Sequence, residues 1–164
     1  MNELLVNEPS VYISRGQGSP FTSGGWSCRE PTIYACYSLE NRGEILSDFG
    51  FGTYDALEAA LTYSVFVIVR NARGIATLLR GGFEVALLAP GDDIEGAIST
   101  IRNALPQKLQ SGTPLAPTVT PEYAIGAVYD AGTGARGDDL LRLATVDAMD
   151  RLVAAQDFER LIRG

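Results

Sequence analysis

The 164-residue chain has no histidine, two cysteines, two methionines and one tryptophan. The missing imidazole excludes Ser-His-Asp and Cys-His catalysis, zinc-histidine sites and switching by histidine protonation. With only Cys28 and Cys36, thiol chemistry is limited, and two cysteines in a reducing compartment read as small core-filling side chains. Basic residues are also scarce. Thirteen Lys and Arg against twenty Asp and Glu give a formal charge of −7, which argues against non-specific nucleic-acid binding, because that binding needs cations to neutralise phosphates. No apolar run reaches the roughly 18 residues of a membrane-spanning helix. The opening Met1-Asn2-Glu3-Leu4-Leu5-Val6-Asn7 lacks the basic and apolar regions of a signal peptide. The expectation is a cytoplasmic protein without membrane insertion.

What is present suits one domain with a real core: 46% hydrophobic and 20% charged residues are ordinary for a soluble globular fold. Residues 1–31 differ from the rest. Ser14-Arg15-Gly16-Gln17-Gly18-Ser19-Pro20 and Ser23-Gly24-Gly25 are turn formers, so this segment reads as an irregular N-terminal arm. Tyr12, Phe21 and Trp26 are its candidate anchors, on the domain or on a partner.

Residues 32–164 read as the domain proper. Ile33 to Leu39 is rich in aromatic and β-branched residues and predicts a strand. Asn41 to Gly52 reads as a loop with one helical turn, and Thr53 as the cap of a helix starting at Tyr54. Leu57, Leu61, Val65, Ile68 and Val69 recur at spacings of three and four. The run Val65-Phe66-Val67-Ile68-Val69 favours strand by propensity, but no turn signal precedes it, so one long helix is expected. Ala76 to Leu79, Arg80-Gly81-Gly82, and Phe83 to Leu88 read as a hairpin closed by paired glycines. Asp92 or Asp93 caps a helix over about Ile94 to Leu105, a Pro/Ser/Thr/Gly-rich connector spans Pro106 to Pro121, and a strand follows at Tyr123 to Val128. A glycine-rich loop and a last helix from about Asp138 to Gln156 complete an α/β (α+β) order, with a mixed sheet flanked by helices.

Arg80-Gly81-Gly82-Phe83-Glu84-Val85-Ala86-Leu87-Leu88-Ala89-Pro90, followed by Asp93-Ile94-Glu95-Gly96-Ala97, Ala124-Ile125-Gly126-Ala127 and Asp139-Leu140-Leu141-Arg142-Leu143-Ala144, resembles the GGDEF (diguanylate cyclase) family over roughly Thr32 to Val153. The resemblance implies the palm-like sheet of nucleotidyl cyclases. It also implies a reaction in which one GTP attacks another across a dimer, with metal ions held by a first-strand carboxylate and by the third signature residue, because hard divalent cations need oxygen ligands. Here the signature Gly81, Gly82, Phe83, Glu84, Val85 carries a phenylalanine at that third position. The first-strand carboxylate falls on Ser38, with Glu40 nearby as one lone carboxylate. The family's lysine falls on Gly43, its guanine-reading asparagine on Leu46, and the following Asp on Ser47. Asp55 matches the second guanine-contacting position and Glu84 the Glu of the signature; on the residues alone, Asp55 also reads as a helix-start residue and Glu84 as an ordinary strand residue. The product-inhibition motif Arg-x-x-Asp falls on Ala72 and Ile75, leaving Arg73 displaced by one place. The family's opening turn and helix have no counterpart in residues 1–31.

The resemblance thus implies a GGDEF-like domain that has lost its chemistry, with no metal and no cofactor expected. The leading expectation is a non-enzymatic docking or regulatory module that engages a protein partner through Tyr12, Phe21 or Trp26 of the arm or through Phe83, taken as an exposed apolar hairpin tip. A homodimer fits family habit. The alternative is a receptor that binds cyclic di-GMP or GTP without turnover, through Asp55, Arg73 and Arg80. A working enzyme would require substitute metal ligands.

Overall fold

The computed structural model describes residues 3–8, 11–15, 27–72, 74–79, 81–110 and 118–163. Among the described residues, eight strands and three helices follow one another as β1 (Glu3–Glu8), β2 (Val11–Arg15), β3 (Thr32–Leu39), α1 (Arg42–Ala72), β4 (Ile75–Leu79), β5 (Gly82–Leu88), α2 (Ile94–Ala104), β6 (Leu109–Gln110), β7 (Thr118–Val119), β8 (Tyr123–Asp130) and α3 (Gly137–Arg163). Six of the strands form one sheet in the order β1-β2-β4-β5-β3-β8. All its pairings are antiparallel except β2 with β4, which is parallel. Strands β6 and β7 make a separate two-stranded ribbon.

Strand β3 lies between β5 and β8, and its side chains alternate between two covered faces. Ile33, Ala35, Tyr37 and Leu39 join a large core with Phe83, Val85, Leu87, Ile125 and residues of α1 and α2. Tyr34 and Cys36 point the other way, toward α3, where they meet Leu140, Leu141, Ala144 and Ala148. Because both faces are covered, β3 reads as a nearly continuous apolar run rather than a strict alternation.

The expected helix with the stripe Leu57, Leu61, Val65, Ile68 and Val69 is present, and all five residues are buried. Tertiary burial of the stripe outweighs the strand propensity of the Val65–Val69 run. Helix α1 nevertheless starts at Arg42, not at Tyr54, and Thr53 lies inside it rather than capping it. Its two segments are joined at Gly50, which takes φ 84 and ψ 176, a conformation that side chains other than glycine's rarely allow. The loop expected over residues 41–52 is therefore a short helix followed by a break. Asp93 caps α2, its Oδ1 accepting the Gly96 N–H at 2.9 Å, and α3 runs seven residues beyond the expected end at Gln156.

The irregular arm expected for residues 1–31 needs correction. Residues 3–8 and 11–15 form the antiparallel pair β1–β2, and β2 extends the sheet by pairing Tyr12 to Arg15 with Ile75 to Leu78 of β4. The β-forming runs Leu4-Leu5-Val6 and Val11-Tyr12-Ile13 give backbone partners to what would otherwise be an open edge of β4. The side chain of Tyr12, together with Phe21 and Trp26, lies outside the described residues, so their expected anchoring roles stay as expectations.

Candidate functional site

The glycine pair at the β4–β5 turn is required by two different constraints. Gly81 has φ +72, the left-handed region that favours glycine. A Cβ on Gly82 would overlap the carbonyl oxygen of Tyr37 on the neighbouring strand. The hairpin is thus pressed against β3, with Leu39 N–H donating to the Gly81 carbonyl at 2.7 Å.

This pressing fixes where the signature residues point. Phe83 is fully buried, which overturns the expectation of an exposed apolar tip available to a partner. It shares one face of β5 with Val85 and Leu87, and all three belong to the core beneath α1. Its ring lies edge-on to Tyr37, centroids 4.4 Å apart, and Tyr37 is in turn edge-on to Tyr123 at 5.5 Å. Glu84 is half-buried on the opposite face, across from Cys36 and Thr77.

The register also shows that Ser38 and Phe83 do not face one another. Ser38 stands opposite Gly82, and the residue across from Phe83 is Tyr37. Ser38 is exposed, and its hydroxyl donates to Glu40 Oε1 at 2.6 Å. The two positions that the resemblance assigns to metal ligands therefore hold a hydroxyl already bonded to one carboxylate, and a buried benzene ring on the other face. Neither can complete an oxygen shell for a hard cation. Among the described residues, no group of three or more His, Cys, Asp or Glu side chains could hold a metal ion. The residues do not fit the family's divalent cation.

Beside the turn, α1 and the β4–β5 hairpin enclose an open cavity of about 1110 Å³. Its lining includes Tyr37, Leu46, Phe51, Leu61, Leu78, Leu79 and Gly82. The break at Gly50 lets the two segments of α1 bring Leu46 from one and Phe51 from the other to the same cavity. Phe51 is 77% exposed, standing at the rim.

The polar lining is organised around one chain of hydrogen bonds. Arg42 Nε donates to the Tyr54 hydroxyl at 2.8 Å, and its guanidinium lies 5.3 Å from the centre of that ring. The Tyr54 hydroxyl donates to Glu58 Oε1, which also accepts the Gly81 N–H at 2.9 Å. Burial, reinforced by the Glu58 carboxylate, pushes the Tyr54 phenol above its ordinary value, keeping it a neutral donor at physiological pH. Burial does the same for Tyr37. Neither phenol is poised for proton transfer near neutrality. The chain locks the glycine turn to α1, and its three members were missed by sequence reasoning. The i, i+4 spacing of Tyr54 and Glu58 was visible, but Arg42 reaches them only because the preceding helical segment folds back at Gly50.

Of the residues matched to nucleotide contacts, Asp55 lines this cavity and is exposed. It sits in the helix beyond the first turn that follows Gly50, not at a helix start. Leu46 lines the cavity as an apolar group. Arg73 and Arg80 lie outside the described residues, so the expected cluster of Asp55, Arg73 and Arg80 is represented by Asp55 alone.

No protein-family profile matches the sequence, and no curated protein matches it either. Solved structures do match. An EAL/GGDEF domain protein from M. capsulatus superposes with a TM-score of 0.56 at 21% identity, over 71% of this chain and 75% of that one. The GGDEF domain of DgcB from Caulobacter crescentus, in complex with c-di-GMP, gives 0.61 at 10% identity over 77% and 72%. Diguanylate cyclase SiaD from Pseudomonas aeruginosa, in complex with its activator SiaC, gives 0.59 at 9% identity over 76% of this chain and 47% of that one. Element order, sheet and neighbours agree: this chain has the fold of a GGDEF domain.

Proposed function

We propose that the chain is a non-catalytic GGDEF-like domain that works as a protein-docking, regulatory module in cyclic di-GMP-related bacterial signalling, in the cytoplasm. The observation that carries this reading is Phe83. The position that should offer an oxygen to the metal is a ring with no exposed surface, packed on Tyr37. Electrostatic stabilisation of the transferring phosphoryl group is the main catalytic term in this chemistry. Removing the oxygen ligands at both positions removes that term. Support for a protein partner comes from SiaD, a GGDEF-fold neighbour solved with an activator protein. No helix among the described residues is long and apolar enough to cross a membrane.

The cavity favours a second reading, a receptor that holds cyclic di-GMP or GTP without turnover, because Asp55 lines it and the DgcB neighbour was solved with c-di-GMP. Two measurements on the purified chain test both readings. Incubation with GTP and Mg²⁺ or Mn²⁺ is expected to yield neither pyrophosphate nor cyclic di-GMP above a blank, and any saturable turnover overturns the non-catalytic assignment. Calorimetric titration with each nucleotide is expected to give no heat. Saturable micromolar binding to either nucleotide establishes the receptor in place of the docking module.

A further inference from the structure

With Phe83 buried, docking at the hairpin needs another surface, and we infer that it is the cavity between α1 and the β4–β5 hairpin, occupied by a partner-protein segment that pairs an apolar anchor with a Lys or Arg. This rests on the docking reading and names the site and the partner's chemistry.

The apolar part follows from the wall. Leu46, Phe51 and Leu79 surround an opening in which Phe51 is 77% and Leu79 43% exposed, so large apolar side chains are left in water beside a concave space. Filling such a space with an aliphatic or aromatic anchor is the usual source of binding free energy at a protein interface.

The charge follows from what the polar lining has left to offer. Arg42 is the one cation among the described lining residues, and its Nε is given to Tyr54. Glu58 Oε1 is occupied by Tyr54 and the Gly81 N–H. Asp55 is the exposed carboxylate at this surface. Among the described residues the lining therefore carries two carboxylates against one guanidinium, within a chain of formal charge −7. A polyanionic occupant meets net repulsion here, whereas a cationic group beside the apolar anchor pairs with Asp55. Such complementarity selects the partner and speeds its association.

The test uses ¹⁵N-labelled full chain and three probes in NMR titrations: the synthetic peptide KLLKKLLKKLLK, its acidic counterpart ELLEELLEELLE, and GTP with Mg²⁺. The basic peptide is expected to shift amides of Leu46, Ala59, Thr62 and Leu79, the acidic one to leave them in place, and Asp55→Lys to weaken the basic peptide at least tenfold. The variant's remaining resonances report that it is folded. Shifts that map instead to α3, equal binding of both peptides, or no shift at millimolar basic peptide overturn the groove assignment while leaving the docking reading intact. GTP shifting the same amides overturns the docking reading itself.

Discussion

The two faces of the sheet are covered differently. Under α1 and α2 the strands present large side chains, Ile33, Tyr37, Phe83, Val85 and Ile125 among them, and the helices meet them through side chains of their own. Under the middle of α3 the strands present Cys36, Ala124 and Gly126, and the helix answers with Ala144 and Ala148, while nearer its start Tyr34 packs on Leu140 and Leu141. On that side the backbones nearly touch: a Cβ on Gly126 would overlap the Ala144 carbonyl oxygen and the Ala148 nitrogen and lie 2.8 Å from Ala148 Cα. Side-chain packing can leave a concave space where an element bends, and it does so where α1 breaks at Gly50. Backbone contact leaves no such room. The candidate site therefore belongs to the face under α1 and α2, and the close backbone contact at Gly126 fixes the frame that holds it.

The strongest way to break this comparison is at Phe83. Phe83→Asp restores an acidic residue at the signature position, yet it places a carboxylate where the native side chain has no exposed surface. An unpaired buried charge is costly enough to shift its protonation or unfold the site. The variant is expected to lose most of its stability, and it cannot serve as a clean probe of docking. Phe83→Ala is the milder form, with an expected loss of about 3–5 kcal/mol from transfer and cavity terms. Urea denaturation of the two variants checks the order. A Phe83→Asp variant as stable as the native protein would mean that the hairpin turns this side chain outward.

The other face is tested at Gly126. Gly126→Val must push α3 away from β8 and β3, and overpacking of this kind costs about 1–3 kcal/mol, occasionally more. Here the groups in the way are helix backbone, which cannot rotate aside, so the upper end is expected. Thermal unfolding measures it. Because α3 contributes no residue to the cavity lining, a folded Gly126→Val protein should keep the cavity-lining resonances close to native positions. Loss of both together would show that the two faces act as one unit.

These positions also show what was legible in the sequence. The hairpin could be placed from two β-forming runs flanking Arg80-Gly81-Gly82, and the register of α1 from its stripe, since each signal is local. The burial of Phe83 was legible as well: Phe83, Val85 and Leu87 fall on one face by period two, with charged Glu84 on the other. Its position beside the glycines suggested an exposed tip and hid that parity. The pairing of Phe83 with Tyr37 rather than Ser38 could not be read, because cross-strand register depends on which residue of β3 the turn is pressed against. The strands β1 and β2 went unseen because turn formers dominate residues 14–25, while the partner that orders them, β4, lies sixty residues away in sequence. The Arg42, Tyr54 and Glu58 chain needed the break at Gly50, a feature of backbone angles that composition does not encode.

A smaller effect sharpens the claim that contact, not charge, holds α3 in place. Asp147 on α3 accepts the Ala127 N–H of β8 at 3.0 Å and the Arg151 Nε at 2.7 Å, and Arg151 reaches across to Glu95 of α2 at 2.8 Å. Replacing Asp147 with Asn keeps an oxygen for the Ala127 N–H and removes the charge. The Arg151 and Asp147 side chains are 32% and 29% exposed and Glu95 is 77% exposed, so solvent screens the ion pairs and the expected loss is about 0.5–1 kcal/mol. Asp147→Ala also strips the acceptor from a backbone donor at the sheet edge and should cost about 1 kcal/mol more. Both stay below the effect of Gly126→Val if α3 is held chiefly by backbone contact. An Asp147→Asn loss equal to that of Gly126→Val, measured by the same thermal unfolding, would assign the hold on α3 to the carboxylate instead.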